Sequence, residues 1–306
     1  MPYDYPCQTT GSHAAIRHCS ICQAADSDTI VKSRWGGSSE PQIVYGLFFS
    51  PKAVIDWTAY MNRWHPSLLY AGVFIHQRPY CEFNSHHSPP ITLSSMHSCR
   101  CELGDLLLVF TDKPAKRRVA VLLQAKMAGG KWPPLHPNPD QWDLYIGWPT
   151  FRYTPRSPTG SPGPRLRTLP FTGSADPAAH YLQLDTSPRN IETTPALSPA
   201  SLSMWDRTIN RLLNGGAGRD FSFHRSSATN DWDQLIWDLL DYTYHCAMPS
   251  SASSGAGGTR GTGSLLSLNS IVDVTNGNGP GARFPSGQDP DDNWGIPVIH
   301  LIRENG

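Results

Sequence analysis

An aspartate, a glutamine and a lysine between positions 105 and 126 have the side chains to hold a hard cation and activate a water. They lie in CRCELGDLLLVFTDKPAKRRVAVLLQAKM, from Cys99 to Met127. Leu106 to Phe110 and Val119 to Leu123 are short apolar runs rich in Val and Leu, the pattern of strands covered on both faces. Between them TDKPAKRR carries a proline and the charges of Asp112, Lys113, Lys116, Arg117 and Arg118, which is turn chemistry. Asp105 opens the first run, with Glu102 three residues earlier, and Gln124 and Lys126 close the second. Side chains two apart on a strand share a face, so Gln124 and Lys126 point one way and Ala125 the other. A hairpin sets the start of the first strand beside the end of the second, and so Asp105 beside Gln124 and Lys126. A carboxylate, an amide oxygen and an ammonium at one sheet end suit a hard cation and its bound water.

Asp105 followed by Gln124-x-Lys126 resembles the PD-(D/E)XK nuclease superfamily in its Q-x-K variant, over less than a tenth of the chain. The resemblance implies an α/β fold, a restriction-endonuclease-like mixed sheet flanked by helices. It implies a Mg²⁺- or Mn²⁺-dependent endonuclease acting on nucleic acid, DNA before RNA, of the restriction or phage-defence type. Asp105 would be the main metal ligand, with the Gln124 side-chain oxygen and the Ala125 carbonyl beside it. Lys126 would hold the attacking water or stabilise the transition state. A neutral amide attracts a cation less than a carboxylate, so Glu102, brought round by a bulge at Gly104, or Glu82 is expected to assist. Such proteins act with a helicase or ATPase partner, or as homo-oligomers, and this chain has no motor motif of its own. The competing reading is a catalytically inactive, zinc-stabilised binding subunit with the same fold. Loss of the second acidic ligand favours it, and the retained Lys126 opposes it.

Cysteine spacing suggests a separate metal. Cys19-x-x-Cys22 and Cys99-x-Cys101 are two short-spaced pairs able to supply four thiolates to one structural Zn²⁺. Such a site would be closed, and would pin the N-terminal segment beside the strand carrying Glu102.

Other elements must position these groups. PQIVYGLFFS reads as a strand, and SPKAVIDWTAYMNRW as a helix with Ser50 as N-cap and Pro51 at its first position. LLYAGVFIH is a strand or short helix, and CEFNSHHSPP a loop with Glu82, His86 and His87. After Lys126 prolines dominate, but Gln141 to Ile146 reads as helical, and with Gln141, Trp142, Leu144 and Tyr145 it looks like the helix that the resembled superfamily packs on its catalytic sheet. AHYLQLD is a strand. LSPASLSMWDRTINRLLNGG is a helix capped at Ser198 or Ser201 and stopped at Gly215-Gly216, and NDWDQLIWDLLDYTYHCA is a helix capped at Asn230 or Asp231. GIPVIHLIRE closes the chain as a strand. The expected organisation is an α/β domain over 1–248 with a Cys-rich N-terminal segment, a Gly/Ser-rich linker or loop over 249–268, and a strand-rich segment over 269–306 packing on the core.

Whole-chain composition narrows the class. The 306 residues carry 25 Lys+Arg against 25 Asp+Glu, so any nucleic-acid contact needs a local patch, for which Lys113, Lys116, Arg117 and Arg118 are candidates. The 28 prolines and 26 glycines exclude a coiled coil or bundle. No apolar run is long enough to span a bilayer and no charged-then-apolar leader is visible, so a cytoplasmic protein with no membrane contact is expected. No G-x-x-x-x-G-K-[ST], G-x-G-x-x-G or G-x-S-x-G occurs, so nucleotide hydrolysis, dinucleotide chemistry and serine hydrolysis lack their loops. The DPDDN segment with Asp289, Asp291 and Asp292 lacks the spacing of a calcium loop.

Overall fold

The architecture comes from a computed structural model that describes residues 20–74, 79–84, 98–128, 139–154, 166–169, 178–187, 189–195, 202–247, 262–263 and 296–304. The apolar hairpin forms as its pattern requires, from β4 (Leu106–Asp112) and β5 (Arg117–Ala128), antiparallel with Leu106 opposite Leu123 and Asp112 opposite Arg117. Every residue of β4 is buried. The turn is closed by Asp112, whose carboxylate accepts from the Ala115 N–H at 3.1 Å, and by Lys116 at φ 50°.

Among the described residues, nine strands build a mixed sheet around the hairpin, flanked by helices. It includes β1 (Leu68–Phe74), β8 (Ala179–Thr186), β9 (Arg189–Pro195), β10 (Ser203–Met204), β11 (Arg219–Phe221), β12 (Thr262–Gly263) and β13 (Val298–Arg303). Its order is β10-β9-β8-β5-β4-β13-β1-β12, with β11 paired to the first residues of β5. β8 runs parallel to β5, and β13 parallel to β4.

Strand alternation divides the core in two. Leu106, Leu108, Phe110, Val121 and Leu123 face α1 (Ser20–Arg34), α2 (Glu40–Phe48), α3 (Pro51–Trp64) and α5 (Trp205–Leu213) through Val31, Leu47, Trp57 and Ile209. Leu107, Val109, Ala120, Leu122 and Val298 face α4 (Pro139–Gly147) and α6 (Asp231–Ala247). On that side a second sheet, in the order β3-β2-β6-β7, joins the core through Cys81, Cys101 and Phe151. Its strands are β2 (Tyr80–Asn84), β3 (Ser98–Glu102), β6 (Phe151–Thr154) and β7 (Leu166–Arg167).

Three sequence expectations are corrected. PQIVYGLFFS is helix α2, not a strand: the Gln42 side-chain oxygen accepts from the Ser38 N–H at 3.0 Å and caps the first turn, and Ile43, Val44, Leu47 and Phe48 recur with helical period. CEFN is strand β2, because Cys81 and Phe83 alternate inward against Tyr80 and Glu82. α5 begins at Trp205 rather than near Ser198 or Ser201, since Ser203 and Met204 pair with Thr193 and Glu192 of β9. The C-terminal strand forms as read. β13 lies inside the sheet between β4 and β1, with Val298 through Ile302 buried on both faces. Of the expected linker, Thr262 and Gly263 pair with Phe74 and Val73 as β12. α3 starts as read: Ser50 Oγ accepts from the Ala53 N–H at 3.2 Å. Asn230 caps α6 through the Asp233 N–H at 2.9 Å.

Candidate functional site

The hairpin register sets Asp105 one residue before Leu106, and so opposite Gln124, one residue past Leu123. The Asp105 N–H donates to the Leu123 carbonyl at 2.9 Å, which extends the ladder past β4. Its carboxylate Oδ2 accepts from the Ala125 N–H at 2.9 Å and from the Gln124 side-chain amide. Parity puts Asp105, Gln124 and Lys126 on the face that carries Leu107, Ala120 and Leu122, toward α4. Asp105 and Gln124 are buried, whereas Lys126 is half-buried and forms no ion pair among the described residues.

Gln141 of α4 fixes the orientation of Gln124. Its amide nitrogen donates to the Glu102 carbonyl at 3.0 Å and also to the Gln124 side-chain oxygen. A backbone carbonyl only accepts, so the Gln141 nitrogen must face it, and the Gln124 oxygen must then face Gln141. The Gln124 amide N–H is thereby turned to Asp105. Tyr145, one helical turn on, donates to the Leu103 carbonyl at 2.8 Å. Burial, aided by Tyr181 and Asp105, pushes the Tyr145 phenol well above its ordinary pKa. Gly104 is tightly enclosed: a Cβ there would meet Tyr145 Oη at 3.3 Å and the Leu123 carbonyl at 3.4 Å.

The strands beside β5 bring further polar groups to this face. Tyr181 lies opposite Gln124 and Gln183 opposite Lys126 on β8, and Glu192 of β9 lies opposite Gln183. The Gln183 side chain is 5% exposed, and its oxygen has no hydrogen-bond partner among the described residues. Trp142 of α4 stacks on Tyr181 with centroids 6.3 Å apart. The sequence marked β8 and α4 but not this row, because which face of β8 meets which neighbour depends on pairing between distant segments. The two-residue spacing of Tyr181 and Gln183, matching that of Gln124 and Lys126, is the signal that was there.

The two assisting carboxylates are placed elsewhere. Glu82 is ion-paired to Arg152 at 2.6 Å across β2 and β6. Glu102 lies on β3, where the Tyr80 hydroxyl reaches its carboxylate at 3.4 Å and its backbone carbonyl serves Gln141. Among the described residues no three His, Cys, Asp or Glu side chains cluster to hold a metal. Asp105 therefore offers a hard cation its carboxylate with the Ala125 carbonyl on the same strand end, while Gln124 as oriented offers a donor to Asp105 and not an oxygen to a metal.

The cysteine set is not gathered by the described residues. Cys22 packs with the α1 side of the main sheet and Cys101 with the α6 side, so the sheet separates them. Cys19, His86, His87 and the DPDDN segment lie outside the described residues, as does the side chain of Cys99. Cys101 has a different neighbour, Cys81, directly opposite on β2 with the sulfurs 3.9 Å apart.

The basic hairpin patch also dissolves on folding, and it sits at the far end of β4 and β5 from Asp105. Lys113 pairs with Glu304 at 2.8 Å and Arg117 with Asp220 at 2.8 Å. Arg118 is buried over the rings of Phe223 and Trp237, 4.4 and 4.8 Å from their centroids, and burial lowers its pKa to about 9. Lys116 is exposed. No described helix is long and apolar enough to cross a membrane. No family model matches this chain, and neither a curated protein nor a solved structure matches it.

Proposed function

We propose that this protein is a divalent-metal-dependent endonuclease with a restriction-endonuclease-like core, cleaving phosphodiester bonds of DNA in preference to RNA. What supports the reading is the convergence of Asp105 and Lys126 on one face at one end of the β4–β5 hairpin, with the lysine in no ion pair among the described residues. Asp105 and the Ala125 carbonyl would hold Mg²⁺ or Mn²⁺, with waters and the substrate phosphate filling the shell. When bound, such an ion neutralises phosphate charge and acidifies a coordinated water. Lys126 places a positive charge where the attacking water or the phosphate sits. Gln124 acts through its amide N–H, holding the Asp105 carboxylate in place, and Gln141 holds Gln124. A role in restriction or phage defence, beside an ATPase, a helicase or a second copy of the chain, rests on the sequence resemblance alone. One Zn²⁺ shared by all four cysteines would need Cys22 and Cys101 on one side of the sheet, and the sheet lies between them.

A second reading has its own observation. The hydrogen-bonded series from Gln141 through Gln124 commits Asp105 Oδ2 to two N–H donors, as expected of a nuclease-like fold that binds nucleic acid without cutting it. Supercoiled plasmid and single-stranded RNA, each incubated with and without Mg²⁺ or Mn²⁺, separate the two. The endonuclease nicks the plasmid only with metal, and Lys126→Ala and Asp105→Ala abolish nicking. Metal-independent retention of DNA with no cleavage by the wild type favours the binding subunit, and equal cleavage by wild type and Lys126→Ala refutes the catalytic assignment.

A further inference from the structure

The cysteine pair that the fold itself creates is Cys81 with Cys101. Register places them directly opposite on the antiparallel strands β2 and β3. Directly opposed residues of antiparallel strands have Cα atoms roughly 4.5–5.5 Å apart, inside the span a disulfide bridges. The sulfurs are 3.9 Å apart, and Cys81 Sγ also lies 3.6 Å from the Cys101 carbonyl. Both side chains are buried in the core that holds Phe83, Leu103, Tyr145 and Phe151. Closing the bond thus asks for a small approach of two sulfurs, with no rearrangement of the strands.

We propose that Cys81 and Cys101 are a redox site, a cross-strand dithiol that closes to a disulfide under a peroxide oxidant. One thiol attacks hydrogen peroxide, becoming a sulfenic acid and releasing water. The second attacks that sulfur, forms the S–S bond and expels a second water. The two thiols lose two electrons and two protons, and the peroxide is reduced to two waters. The structural consequence lies four residues on. From the end of β3 at Glu102 the chain runs through Leu103, the carbonyls of both gripped by Gln141 and Tyr145 of α4, into Gly104 and Asp105. A bond from β2 to β3 fastens the strand that delivers Asp105, whether or not that residue serves cleavage. The hydrogen bond to Cys101, together with burial, pushes the Cys81 thiol well above its ordinary pKa, so closure is slow at neutral pH and quickens as pH rises.

The test uses folded wild-type protein treated with hydrogen peroxide at pH 7 and pH 9, then denatured, alkylated, digested and mapped by mass spectrometry. The expected product is a peptide joining Cys81 to Cys101, formed faster at pH 9, reversed by dithiothreitol and absent from Cys81→Ser. Of the seven cysteines, these two are then the ones that escape alkylation together. The oxidised protein melts at a higher temperature than the reduced one, because the bond restricts the unfolded chain. Recovery of Cys81 and Cys101 as separately alkylated peptides, as sulfinic acids, or joined to other cysteines overturns the proposal.

Discussion

At the residue scale, the amide at position 124 decides what Asp105 meets. Gln124→Glu replaces an N–H donor with a second anion against Asp105 Oδ2, in a buried place. Without metal this variant should melt several degrees lower than wild type, by like-charge repulsion. Mg²⁺ should restore it and bind more tightly than to wild type, since a ligand that binds only the folded state stabilises by linkage. A variant that Mg²⁺ leaves unmoved in thermal melts removes the cation from the site. His180 and His300 make a second prediction. Burial lowers each to a pKa of about 3, Arg211 adding to it at His180, and Arg118 and Lys113 at His300. Each is neutral when folded and ordinarily titrates near 6.5, so the unfolded state binds more protons between those values. Stability is whole above pH ~6.5 and falls toward pH ~3, by at most about 1.4 kcal/mol per pH unit for each histidine. His300→Asn should flatten that slope in urea melts, and an unchanged slope refutes the assignment.

At the scale of elements, the joints between helix and sheet carry the sharpest expectations. Arg167 of β7 is 3% exposed and pairs with Asp238 of α6 at 2.6 Å and with Asp231 at 3.2 Å. Arg225 reaches the other Asp238 oxygen at 3.1 Å. Arg167→Met keeps the volume but leaves Asp238 buried with reduced compensation, and should cost about 3–5 kcal/mol in denaturant unfolding. The double variant Arg167→Met/Asp238→Leu should recover much of that loss; failure to recover shows that packing, not charge, joins β7 to α6. Ser50→Ala removes the cap at the start of α3 and should cost about 1 kcal/mol. A loss near zero means that water serves the Ala53 N–H equally well.

At the scale of the molecule, the last strand is the test of organisation. β13 pairs with β4 along six positions and with β1 along six, and Thr243 of α6 hydrogen-bonds Ile296 at its start. A chain ending at Gly295 should lose cooperative unfolding altogether, since both neighbouring strands then expose a full row of backbone groups. An unchanged melting temperature would place β13 outside the folding unit.

What the sequence by itself determined is local. Short Val- and Leu-rich runs bounded by charge marked the β4–β5 hairpin, and the hairpin alone carried Asp105 to Gln124 and Lys126, because a tight turn leaves one neighbour and alternation leaves two faces. Ser50 and Asn230 marked helix starts for the same reason: a cap acts on backbone two or three residues away. Tertiary structure decided the rest. PQIVYGLFF was apolar enough for strand or helix, and the capped first turn and the core beneath it selected helix. Glu82 was drawn off by Arg152, Arg118 by two aromatic rings, and Cys101 by Cys81 instead of Cys22, each through pairing between segments far apart in sequence. Gln141, read only as a packing residue of α4, reached Gln124 because that helix lies across the sheet end. Such pairings are chosen by the burial of whole faces, which no short stretch of residues encodes.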